Sequence, residues 1–84
     1  MEVMIHPRVK KYLNESGEKQ RLIKHIKKLA DDPYHSRSKV DIKKLKGKGH
    51  DMYRLKMSDH RFEYFIDEEK VWIDNAFKRG KGYR

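Results

Sequence analysis

The chain has 84 residues, with 22 Lys and Arg against 13 Asp and Glu, so its net charge is +9. A chain this short holds one domain, residues 1–84, and buries roughly 60–65% of its unfolded surface, which allows one sheet layer against one helix layer. There is no cysteine, which excludes a disulfide framework, a thiolate zinc site, an iron–sulfur cluster and a cysteine nucleophile.

A pI near 9.8 favours an anionic partner: nucleic acid, an acidic protein or an anionic membrane surface. No apolar run approaches the about 18 residues of a transmembrane helix. The segment from Met1 to Arg8 lacks the apolar stretch of a signal peptide, so a cytoplasmic location is expected. Charge is uneven along the chain. Residues 1–32 carry +3, residues 33–61 carry +6, residues 62–77 carry −4 and residues 78–84 carry +4.

Residues 2–6 alternate and predict a short strand ending at Pro7. Pro7 suits the first position of a helix. Val9, Tyr12 and Leu13 then recur at helical spacing. Ser16-Gly17 stops this helix and Glu18 opens a second. Leu22, Ile23, Ile26, Leu29 and Ala30 make its apolar stripe, opposite Lys24, Lys27 and Lys28. Asp31-Asp32-Pro33 ends it.

Residues 34–41 read as a loop. Ile42 and Leu45 sit in a lysine-rich stretch from Asp41 to Lys48, punctuated by Gly47 and Gly49. From Met52 the period is two. Residues 52–57, 60–66 and 71–77 predict three strands on short turns, an antiparallel meander. The order is β-α-α-β-β-β. The fold class is α+β, two N-terminal helices on one face of a small, mainly antiparallel sheet.

Alternation divides the first meander strand into Met52, Arg54 and Lys56 on one face and Tyr53, Leu55 and Met57 on the other. The second set packs on the helices. The first sets Arg54 and Lys56 on the open face, with Arg61 beside Lys56 across the Ser58-Asp59 turn. The last strand delivers Lys78 and Arg79 to the same sheet. Like charges opposite one another destabilise a sheet, so their convergence points to an anion.

The succession Asp41-Ile-Lys-Lys-Leu-Lys-Gly47, Met52-Tyr-Arg-Leu-Lys56, Asp59-His-Arg61, Tyr64 and Lys78-Arg-Gly-Lys-Gly-Tyr83 resembles the RelE/ParE toxin superfamily, nearest its RelE-like mRNA interferase branch with archaeal members. The element order agrees over nearly the whole chain. The resemblance implies a toxin of a type II toxin–antitoxin system, a ribosome-dependent endoribonuclease that cleaves mRNA in the A site. By motif position it assigns the catalytic cluster to Arg54, Lys56, Arg61, Arg79 and Tyr83. It also implies a cognate acidic, RelB-like antitoxin beside the ribosome and mRNA as partners, and no cofactor, metal or membrane.

Such cleavage sends a 2′-hydroxyl in line onto the adjacent phosphorus. Arg54 and Arg61 suit the extra negative charge of the transition state. Arginine exchanges protons poorly near neutral pH. Lys56 is therefore the candidate base, since crowding cations disfavour its ammonium form. Arg79 falls near the leaving group by the resemblance, and Tyr83 stacks on a base or orients the nucleophile. Relatives often carry a histidine where Lys78 stands, which leaves the general acid open. Lys43, Lys44, Lys46, Lys48, Lys78 and Lys81 are read as RNA-backbone contacts.

The five histidines lack metal-ligand spacing. His6 is read as a helix cap, His25 as solvated and His60 as a partly buried sheet residue facing away from Arg61. His50 flanks the catalytic strand. Glu63 is expected to pair with a neighbouring cation. Two other functions fit the same basic surface: a ParE-like inhibitor that binds DNA gyrase, and a non-catalytic RNA-binding module.

Overall fold

The computed structural model describes residues 1–46 and 51–80. Gly47, Lys48, Gly49 and His50, and Lys81 to Arg84 with Tyr83 among them, lie outside these described residues.

Strand β1 (Glu2–Ile5) leads into α1 (Pro7–Glu15) and α2 (Lys19–Ile26). His6 caps α1 as expected, its ring accepting from the Arg8 backbone N–H, with Pro7 at the first helical position. Gly17 follows the C-cap Ser16 at a φ of 74°, a left-handed conformation that suits glycine. The second helix does not stay α-helical to Ala30. Its last turn, Lys27–Ala30, tightens to a 3₁₀ turn ahead of Asp31-Asp32-Pro33.

Four further strands follow: β2 (Asp41–Leu45), β3 (Met52–Met57), β4 (His60–Asp67) and β5 (Lys70–Lys78). The sheet order is β1-β5-β4-β3-β2. Only the β1–β5 pair is parallel; the other three are antiparallel. The predicted α+β class therefore holds, and the lysine-rich stretch adds a fifth strand. Alternation there is masked because β2 is an edge strand, where Lys43 and Lys44, on opposite faces, both stay exposed. Charged edges of this kind also discourage pairing with another chain.

One face of the sheet carries the core. Val9 and Leu13 of α1 and Leu22 and Ile26 of α2 meet Leu55, Phe62, Tyr64, Val71 and Ile73, all at most 1% exposed. Complete burial of one such aliphatic side chain contributes about 1.5–3 kcal/mol. Tyr64 also donates its hydroxyl to the Pro33 carbonyl at 2.7 Å, tying the connection between the 3₁₀ turn and β2 to the sheet. Burial keeps that phenol neutral, its pKa raised well above the usual value.

Residue Asp74 has no partner in the ladder. Glu63 pairs with Asn75, yet the next residue, Tyr64, pairs with Ile73. This bulge shifts the alternation of β5 by one. Val71 and Ile73 face the core before it, and Ala76 does so after it. Phe77, opposite Arg61, is thereby turned to the open face.

Candidate functional site

Antiparallel register brings the central cations together. Lys56 stands directly opposite Arg61, Arg54 opposite Glu63, and on the other side Lys43 opposite Arg54 and Asp41 opposite Lys56. Arg54, Lys56 and Arg61 therefore share the open face, as the alternation predicts. Their exposures differ. Lys56 is exposed, Arg54 is half-buried and Arg61 is buried at 8%.

The burial of Arg61 has a local cause. Its Nη1 donates to the Ser58 carbonyl at 2.8 Å and the His60 carbonyl at 3.1 Å. The guanidinium thus clamps the β3–β4 turn, whose Ser58 adopts a φ of 52°. Arg54 makes the expected ion pair with Glu63, Nη2 to Oε2 at 3.5 Å. Its guanidinium carbon also lies 5.9 Å from the Phe77 ring centroid. Both contacts restrict the rotamers of Arg54.

Arg79 follows β5 and is exposed. Its backbone N–H donates to the Asp59 carbonyl at 2.7 Å, so it is anchored to the same turn that Arg61 clamps. Lys78 departs from the expected face. It stands opposite His60 and lines a shallow depression on the helix side with Tyr12 and Glu15. The bulge is the reason, because it reverses the alternation of the strand end. Of the predicted backbone contacts, Lys43 lies on the open face. Lys44 turns to the other face and pairs with Asp51 at 3.2 Å. Lys46 is exposed just past β2. Lys48, Lys81 and Tyr83 lie outside the described residues.

His60 is 3% exposed and is part of the scaffold. Its Nδ1 meets the Tyr12 hydroxyl at 2.6 Å and its Nε2 meets Glu18 Oε2 at 3.0 Å. This chain joins α1, the start of α2 and β4 behind the β3–β4 turn. Hydrogen bonds from Arg21 first, then His60, lower the Glu18 pKa. Burial, then Glu18 and Asp59, raise that of Tyr12. Sequence reading did not find this network, since its members are up to 48 residues apart.

His25 corrects a second expectation. It is half-buried between α2 and the 39–41 segment, not solvated. Burial, then Lys28, lower its pKa, which favours the neutral ring. Among the described residues no group of His, Asp and Glu is arranged to hold a metal ion. No helix among them is long and apolar enough to cross a membrane.

The site is a cationic patch on the open face of the sheet, with a rigid backing. Its arginines can grip a phosphodiester, and its one exposed central ammonium can approach a neighbouring hydroxyl.

No family model and no curated protein matches the chain. Two solved structures do. A chain of the archaeal RelE–RelB complex from Pyrococcus horikoshii OT3 is similar at a TM-score of 0.76 and 29% identity, covering 95% of this chain and 96% of that one. A chain of the RelB–RelE antitoxin–toxin complex from Methanococcus jannaschii shares the fold at a TM-score of 0.67 and 17% identity, covering 89% and 88%. The ordered residue succession, the shared topology and the near-complete coverage of the Pyrococcus horikoshii chain make the protein similar to the RelE-like toxin superfamily.

Proposed function

We propose that the protein is the toxin of a toxin–antitoxin pair and cleaves mRNA in the ribosomal A site. The observation that supports this most is the direct pairing of Lys56 with Arg61, with Arg54 beside them on the same open face. Opposed like charges cost stability, and a phosphodiester would offset that cost.

In this reading Arg54 and Arg61 hold the non-bridging oxygens of the scissile phosphate. The Glu63 and Phe77 contacts of Arg54 and the turn carbonyls on Arg61 keep both guanidinium groups from reorganising during the reaction. Lys56 accepts the 2′-hydroxyl proton. The oxygen it frees attacks phosphorus, and the bond to the 5′-oxygen breaks. Arg79 stabilises the leaving oxygen, which takes its proton from water, and Tyr83 orients the reacting nucleotide. The resulting products are a 2′,3′-cyclic phosphate and a 5′-hydroxyl.

The partner that restrains this activity would be an acidic, RelB-like protein, in keeping with the RelE–RelB complexes to which the chain is similar. Transcript ends mapped in a translating extract test the proposal. New ends within ribosome-occupied codons are expected with the wild type and not with Lys56→Ala. Absence of new ends with the wild type, alongside inhibition of gyrase supercoiling, would overturn it.

A further inference from the structure

A second cationic feature lies outside this cluster. A cleft of about 540 Å³ opens between α2 and the sheet end where β2 begins and β3 finishes. Arg21, Lys24, Lys28, Arg37, Lys39 and Lys56 line it, and Asp41 is the one carboxylate among its described lining residues.

This concentration works against the fold in two ways. Arg21, Lys24 and Lys28 recur at three- and four-residue spacing along α2 and its 3₁₀ extension, where like charges repel. Lys39 adopts a φ of 64° at the third position of the Arg37–Val40 turn. Glycine or asparagine occupies that position at lower cost.

The remaining chemistry selects the ligand. Arg37 donates to the backbone carbonyls of Lys28, Asp32 and His35. Arg21 is engaged by Glu18. Both planar forks that would suit a carboxylate are therefore occupied. Among the described residues no acidic side chain pairs with Lys24, Lys28 or Lys39, whose compact ammonium groups suit phosphates. The apolar lining residues, Val40 and Met57, are themselves 2% and 8% exposed. They offer no anchor for a protein segment.

We propose that this cleft is a second RNA-backbone site, which holds phosphates flanking the one at Arg54 and Arg61. Lys56 belongs to both surfaces and joins them. The continuity of the strand rests on the ribonuclease reading; the affinity of the cleft for RNA does not.

Binding of a labelled, unstructured RNA of about 12 nucleotides, followed by fluorescence anisotropy across a salt series, tests this. Each phosphate neutralised on a single strand adds about 0.7 to the salt slope. The triple variant Lys24→Gln, Lys28→Gln, Lys39→Gln should therefore bind about a hundredfold more weakly at about 0.1 M salt, with a slope smaller by about 2. Lys39→Gly alone should raise the melting temperature, by relieving the turn, and weaken binding about fivefold. Unchanged affinity and slope in the triple variant would overturn the proposal. So would a polyglutamate peptide that binds through these lysines more tightly than RNA. The two readings fail separately. Loss of RNA affinity in the triple variant without transcript cleavage by the wild type sinks only the ribonuclease. Transcript cleavage with unaltered RNA binding by the triple variant sinks only the cleft.

Discussion

Arg61 and Lys56 face each other across one antiparallel pair, yet they sit in opposite physical situations. Arg61 is buried and hydrogen-bonded to two turn carbonyls, whereas Lys56 is exposed. Hydrogen bonds from a charged donor contribute about 1.5–3 kcal/mol each. Arg61→Ala should lower unfolding stability by about 2 kcal/mol as well as abolish cleavage. Lys56→Ala should abolish cleavage with stability within about 0.5 kcal/mol of the wild type. Denaturant melts of the two variants decide this; equal stability would show that Arg61 is not a clamp.

Three groups give stability a defined dependence on pH. Hydrogen bonds from Arg21 and His60 lower the Glu18 pKa, and the Tyr34 backbone N–H first, then His35, lower that of Asp32. A lowered carboxylate pKa contributes stability above the unfolded value and loses it as pH falls through the folded one. His25 has its pKa lowered by burial, so the unfolded chain takes up that proton first and stability declines as pH falls through about 6.5. Urea midpoints should fall gently from about pH 7 to 5 and more steeply below about pH 4. His25→Gln should flatten the first region and Glu18→Gln the second. A variant that leaves its slope unaltered would remove that group from the account.

At the scale of elements, turns and bulges decide more than strand propensity does. The β4–β5 hairpin turns through Glu68 and Glu69 at φ 53° and 59°. Two successive left-handed residues make a turn that favours Asn-Gly. Replacing the pair by Asn-Gly should raise stability by about 1 kcal/mol, read as a higher denaturation midpoint. No gain would mean that the strain is already relieved locally. The strands themselves were legible from alternation, because burial of one face requires period two. The edge strand β2 was not, since its exposure lets lysine occupy either face. The bulge at Asp74 was equally hidden. It shows only in the register of β5 against β4, which no local pattern records.

Across the whole molecule, a net charge of +9 makes the cations repel one another. Screening weakens that repulsion over roughly 8–10 Å at moderate salt. Raising salt from about 0.05 to 0.3 M should therefore raise the melting temperature by a few degrees. The same change should weaken RNA binding. Calorimetry and anisotropy on one sample would show the opposed trends, and a melting temperature that falls with salt would contradict them.

Composition and period by themselves determined the α+β class, the paired helices, the meander and the face on which Arg54, Lys56 and Arg61 meet. These depend on which side chains must leave water, and hydrophobic spacing states that directly. Tertiary structure alone decided that Arg61 is a buried clamp, that Lys78 turns away from the open face and that Phe77 turns toward it. It also joined His60 to Tyr12 and Glu18 and gathered lysines from α2, a strained turn and β3 around one cleft. The reason is the same in each case. A side chain's charge is written in the sequence, but its neighbours are set by register, bulge and long-range packing.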